Sequence, residues 1–255
     1  MNPPDTGCEK FRGNELPIRD YQKVALTCFT SKPALVAELF AEEFGKAAGQ
    51  MDLPNKHLHH ARFHVTRVPL DFGYAYNGNT FAGAHLNPPP RQFLFWEPAN
   101  SPGTAAMMTN WSSGGIHQVE AFSRREGCCW DATHVLITNE PLPEYPGFRF
   151  QHIPAGSRPS GWRELSVILD EPKRWYFGDS GPRLPFENPQ YYRRRRIRDR
   201  INKDVIMEYM NALGWDISDQ QFWRSHSPAW LIWDDSLGKY AGPVCCGDRN
   251  TGKYK

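Results

Sequence analysis

Apolar and polar residues alternate with a period of two through much of this chain, the signature of strands with at least one buried face. Val24, Leu26 and Cys28 mark one such strand within Tyr21 to Thr30, and Ala61 to Leu70 alternates well enough for a second. Arg91 to Glu97 is a buried strand candidate, Ala105 to Trp111 another short strand and Trp130 to Thr138 a strand dominated by β-branched residues, while Phe148 to Ile153 alternates again. Arg163 to Asp170 places Leu165, Val167 and Leu169 on one side, and after the interruption at Pro172 the aromatic run Arg174 to Phe177 makes a hairpin or meander with it. Strands thus dominate from 91 to 177. Asp179, Ser180, Gly181 and Pro182 supply turn chemistry after them.

The spacing changes to that of a helix in two places. Ser31 and Pro33 start a helix over Ala34 to Ala48, with Leu35, Leu39, Phe40 and Phe44 on one side. Ile197, Ile201, Val205, Tyr209 and Leu213 recur at i+4 and predict a long amphipathic helix from Gln190 to Leu213, capped by Asn188 and Pro189 and stopped by Gly214. Ile116 to Arg125 fits either a helix or a strand. The expected fold class is α+β: a mostly antiparallel sheet, an N-terminal helix and a long C-terminal amphipathic helix. The expected layout is a flexible arm over 1 to 18, one α+β domain over 19 to 240, with an optional subdomain boundary near residue 100, and a polar tail over 241 to 255.

Length and composition narrow the class. A chain of 255 residues with 40% hydrophobic residues is long and apolar enough to bury a core. The polar start, without an apolar run, predicts no secretory signal, and no window reaches the roughly 18 apolar residues of a membrane span. The expected compartment is the cytoplasm, where the six cysteines would be reduced. With 30 basic against 28 acidic residues there is no general excess of positive charge to imply nucleic acid.

The residues that could carry chemistry fall into separate clusters. Within the predicted second helix, Arg193, Arg194, Arg195, Arg196, Arg198, Arg200 and Lys203 face Asp199 alone, an arrangement unfavourable to the helix dipole. These guanidiniums either contact phosphate or an acidic partner, or form a solvated face paired with nearby carboxylates. Trp215, Trp223, Trp230 and Trp233 are four of the nine tryptophans, and Asp216, Asp219, Asp234 and Asp235 lie among them. Such a segment is core bulk or, at a surface, an acid-rimmed set of anchors. His57, His59, His60 and His64 invite a metal, yet no nearby carboxylate or cysteine completes the set. Cys128 with Cys129 and Cys245 with Cys246 lack the spacing of structural zinc ligands. Gly178 to Pro182 resembles the nucleophile segment of chymotrypsin-like proteases but lacks its second glycine before the proline, and the Ala-Ala-His-Cys context of the base is missing. A β-turn explains these residues. Paired acids such as Glu140 with Glu144 carry no assignable role. No catalytic residue, metal or cofactor is therefore expected.

The run Arg174-Trp175-Tyr176-Phe177, then Leu184-Pro185-Phe186-Glu187, then Arg195 to Arg200, Tyr209 and Leu213-Gly214-Trp215, resembles a group of uncharacterised bacterial proteins often encoded near polymorphic or secreted toxins. The resemblance lies in the C-terminal half, from near Met107. It implies an immunity-type role, a cytoplasmic protein that occludes a cognate effector. The expected function is thus a non-catalytic protein-binding module, with Arg193, Arg194, Arg196, Arg200, Trp215, Trp223, Trp230, Trp233, Asp234 and Asp235 as partner-binding residues. The alternatives are nucleic-acid or phosphate binding through Arg193 to Arg200, and an enzyme whose site forms only in three dimensions. The sequence fixes neither the partner nor the oligomeric state.

Overall fold

The computed structural model describes residues 16–20, 23–50, 63–75, 92–110, 115–125, 127–138, 147–170 and 174–234. A short helix α1 (Pro17–Asp20) precedes strand β1 (Lys23–Phe29), and its first two residues fall in the stretch 1 to 18 read as an arm. Helix α2 (Pro33–Gln50), strand β2 (Phe63–Val68), strand β3 (Gln92–Trp96) and strand β4 (Ala105–Thr109) follow. The ambiguous 116 to 125 stretch is a helix, α3 (Ile116–Ser123), and β5 (Ala132–Thr138), β6 (Gly147–Ile153), β7 (Arg163–Asp170) and β8 (Arg174–Ser180) are strands. Helix α4 (Lys203–Ala212) and strand β9 (Ala229–Asp234) complete the order.

The nine strands of the described residues join one antiparallel sheet, in the order β2-β9-β3-β4-β1-β5-β6-β7-β8. The strands β3 and β4, on either side of residue 100, pair directly. Both faces of the sheet bear a packed layer, although on one of them Ile168 of β7 and Tyr176 of β8 stay exposed, and the period-two pattern sorts side chains between the faces. One face presents Leu26, Leu94, Trp96, Met108, Val135, Phe150 and Leu165 to a layer formed by residues 184 to 223. The other presents Phe29, Phe93, Phe95, Met107 and Ile232 to α2 and α3, through Val36, Phe40, Val119 and Phe122. Phe40 is the hub of this second layer: its ring lies 4.4 to 5.4 Å from those of Phe44, Phe93, Phe95 and Phe122.

The long second helix is not formed. Residues 191 to 199 instead make two 3-10 turns, Tyr191–Arg193 and Ile197–Asp199, and α4 begins only at Lys203. The cause is local charge. A helix over 190 to 202 would stack like-charged guanidiniums at i+3 and i+4 against the positive end of its own dipole. The chain bends instead, and the arginines bond to carbonyls a helix would have used: Arg194 Nη1 donates to the Asp199 carbonyl at 2.6 Å, and Arg200 Nε to that of Arg194 at 3.1 Å. Tyr192 and Ile201 still reach the core. The true cap is Asn202, whose Oδ1 accepts from Val205 N at 3.0 Å, while Asn188 caps only a short turn by accepting from Gln190 N. The stop is where the sequence places it. Gly214 has φ +91°, Trp215 N bonds to the Met210 carbonyl and Gly214 N to that of Asn211, which is a Schellman closure. Asn202→Ala should cost about 1 kcal/mol, measured as a shift in urea midpoint, whereas Asn188→Ala should cost less than half as much; the reverse order would return the cap to Asn188.

Candidate functional site

The site is built from the two strands β7 and β8 and the irregular segment that follows them. Arg163 sits on β7 with the parity of Leu165 and Val167, which aims a guanidinium at the core face, and only 1% of it is exposed. Glu187 meets it bidentately: Nε to Oε1 at 2.6 Å and Nη2 to Oε2 at 2.7 Å. Nη1 donates to Asp179 Oδ1 at 2.6 Å and to the Ser180 carbonyl at 2.8 Å. Glu187 also accepts from Tyr192 Oη at 2.6 Å and from Leu184 N at 3.0 Å, and Tyr192 Oη lies 2.9 Å from Tyr209 Oη on α4.

Burial opposes the charge on Glu187, but the guanidinium, the Leu184 amide and the Tyr192 hydroxyl outweigh it and hold the carboxyl below its usual range. Burial and then the adjacent carboxylate push the Tyr192 phenol up. This cluster ties the meander to α4 and leaves no acid or base free for proton transfer. It is an anchor for what lies above it.

What lies above is a basic ledge. Tyr192 packs on Phe177 of β8, with ring centroids 5.6 Å apart, and carries its neighbours to the rim of the sheet. Arg193, Arg195, Arg196 and Arg198 are exposed there. Arg183 lies over the Tyr192 ring at 5.6 Å and is itself 54% exposed. Arg194 and Arg200 are half-buried; their guanidiniums bond to backbone carbonyls and lie over Tyr191 and Phe177. Of the arginines named from the sequence, then, Arg193 and Arg196 face solvent, while Arg194 and Arg200 hold the backbone that displays them. Arg195, left out of that set, faces solvent as well. Asp199 is the sole acid between Asn188 and Lys203, and it stands 3.9 Å from Arg198.

The tryptophans lie elsewhere. Trp215, Trp223 and Trp233 are 2%, 4% and 9% exposed, and their bulk fills the core face, so they form no surface anchor in this fold. Trp96 and Trp223 donate to the Phe222 and Ile217 carbonyls, each at 2.9 Å. Trp230 is half-buried under the Arg67 guanidinium, 4.4 Å from its ring, and this arrangement sits on β9, which the sequence reading did not identify as a strand. Asp234 pairs through its backbone with Phe63; Asp235 lies outside the described residues. So do His57, His59 and His60, while His64 stacks on Trp233 at 4.3 Å. Cys128 is buried and Cys129 exposed; Glu140, Glu144, Cys245 and Cys246 lie outside the described residues. Among the described residues no three His, Cys, Asp or Glu are arranged to hold a metal ion, and no helix is long and apolar enough to cross a membrane.

Two buried imidazoles complete the inventory. Thr27 Oγ1 meets His134 Nδ1 and Thr133 Oγ1 meets His152 Nδ1, each at 2.9 Å, on opposite faces of the sheet. Burial, aided by the positive charges of Arg149 and Lys23, pushes His134 down to about 3, and burial lowers His152 as well, against Asp131. Because the unfolded imidazole titrates near ~6.5, the unfolded chain binds more protons than the folded one between that value and about 3. Stability is therefore full above pH ~6.5 and falls as the pH drops through that window. Replacing His134 with Asn should remove roughly 1–2 kcal/mol of the loss seen between pH 7 and pH 5, read from denaturant midpoints; parallel profiles for the two chains would show a solvated His134.

No protein-family model, curated protein or solved structure matches this chain.

Proposed function

We propose that the chain is a non-catalytic binding module that engages an acidic surface of a protein partner through the ledge of Arg193, Arg195, Arg196 and Arg198. The observation that carries this reading is the division of labour within one run of arginines. Arg194 and Arg200 give their donors to the chain's own carbonyls, whereas among the described residues Arg193, Arg195 and Arg196 have no ion-pair partner. Guanidiniums displayed on a braced backbone lose little freedom on meeting carboxylates, which makes such contacts favourable for recognition. The buried network supports the same reading, since its acids and phenols are consumed in holding the ledge. An immunity-type role, occlusion of a cognate effector, is the form of this function that the sequence resemblance favours.

Capture experiments test it. The wild-type chain and an R193E/R195E/R196E variant, shown by tryptophan fluorescence to be equally folded, are each used to retain partners from a nuclease-treated extract of the source cells. The reading requires at least one protein held by the wild type, released between low and moderate salt, and lost from the variant. A partner retained equally by the variant removes the ledge from the interface. Nucleic acid recovered in place of protein when nuclease is omitted, with a steep salt dependence, would assign the arginines to phosphate.

A further inference from the structure

The segment that carries the ledge packs on the outermost described strand, β8, through Tyr192 and Arg200 against Phe177. Strand β8 is the last in the order, and among the described residues its backbone is paired only on the β7 side. The pairing runs without a break from Glu164↔Ser180 to Asp170↔Arg174, so the edge has no bulge, and it contains no proline. Long flat edges of this kind are usually blunted, because unpaired amides and carbonyls invite another strand. Here the two sides of the edge differ. On the side of Phe177 stand Tyr192 and the basic ledge. On the other, Tyr176 and Ile168 are direct cross-strand partners and are 49% and 46% exposed, two of the four large exposed apolar residues among those described.

We propose that β8 takes up an extended segment of the partner as a further antiparallel strand, one in which acidic and aliphatic residues alternate. The inference rests on the reading above and names its chemistry. Side chains of an added strand point alternately to the two faces. Carboxylates on one face meet Arg193, Arg195 and Arg196, and β-branched or aromatic side chains on the other cover Tyr176 and Ile168. A second copy of this chain is the wrong occupant, because pairing β8 with itself about a two-fold axis would bring two basic ledges together.

The probe is a labelled peptide of about eight residues alternating glutamate and valine, set against one of identical composition with the glutamates and valines in two blocks. Binding to the full chain is followed by anisotropy, and amide exchange is followed over residues 174 to 180. The alternating peptide should bind at least about tenfold more tightly than the block peptide. It should lose at least about tenfold in the R193E/R195E/R196E variant and several-fold in Tyr176→Ser, and it should slow exchange along β8. Equal binding of both peptides, or binding that leaves β8 exchange unchanged, overturns strand addition while leaving the acidic-partner reading in place. If the alternating peptide does not bind although the captured partner is still lost from the triple variant, strand addition alone falls. If the partner is retained by that variant, both fall.

Discussion

Glu187→Ala is expected to destabilise the chain by about 3–5 kcal/mol, because it leaves the Arg163 guanidinium buried with half its partners removed. The carboxylate occupies two of the guanidinium's donors and also takes the Tyr192 hydroxyl and the Leu184 amide, so one truncation removes a partner from three residues at once. A double replacement, Arg163→Met with Glu187→Leu, should cost less than Glu187→Ala alone, since it removes both charges and returns apolar volume. Equilibrium denaturation of the four chains of the cycle measures the coupling. A loss below about 1 kcal/mol for the alanine variant would mean that water reaches the cluster. The same variant should release partner as well as lower stability, since Glu187 holds the segment that displays the ledge. Tyr192→Phe, which keeps the ring on Phe177 but drops one donor, should cost only about 1 kcal/mol.

Gly181→Ala should be the most damaging conservative substitution in the chain. Gly181 has φ +79°, and a Cβ there would overlap the Trp162 carbonyl oxygen, with Arg163 Cα close behind. Both obstacles are backbone, so no rotamer relieves them. The left-handed conformation alone costs an L-residue roughly 1–2 kcal/mol, and displacing β7 next to Arg163 adds to it. We expect a fall in Tm of more than about 10 °C by calorimetry. Gly103, Gly127 and Gly156 supply the comparison: φ is +83°, +78° and +64°, and a Cβ at any of them meets nothing within 4 Å. Alanine there should cost only the conformational part. If Gly181→Ala behaves like Gly156→Ala, the turn after β8 is looser than described.

The strands were legible because burial, on one face or on both, leaves either a period of two or a short β-branched and aromatic run in the sequence. Eight of them coincide with stretches read as strands, and β8 extends beyond its aromatic run because Gly178, Asp179 and Ser180 continue the ladder opposite Ser166, Leu165 and Glu164. The ninth, β9, escaped notice: Trp230 and Trp233 point to opposite faces, so its sequence reads as uninterrupted apolar residues after Pro228. The long helix was a false positive of the opposite kind. Ile197, Ile201, Val205 and Tyr209 do face the core at helical spacing, but periodicity carries no information about the repulsion among the arginines between them, and that repulsion decides the backbone. The buried network left a trace that pattern alone could have found. Arg163 has the parity of Leu165 and Val167, so a strand there must bury a charge, and a buried charge requires an acid somewhere. Which acid it is, 24 residues later, could come only from the fold. The tryptophans illustrate the remaining ambiguity, since a segment rich in large apolar groups and carboxylates looks alike whether its rings face a core or a partner.

The position of β9 sets the order in which this molecule can assemble. It lies between β2 and β3, although it is the last of the described strands to be synthesised. Until residues 229 to 234 leave the ribosome, β2 has no partner strand among the described residues and the β9 side of β3 is unpaired there, with Phe93, Phe95 and Trp96 on it. Long-range closure of this sort is slow, and a nascent chain waiting for it presents an adhesive apolar margin. A ribosome stalled just before residue 229 should therefore hold a polypeptide that recruits chaperones, and release of the finished chain should end that association.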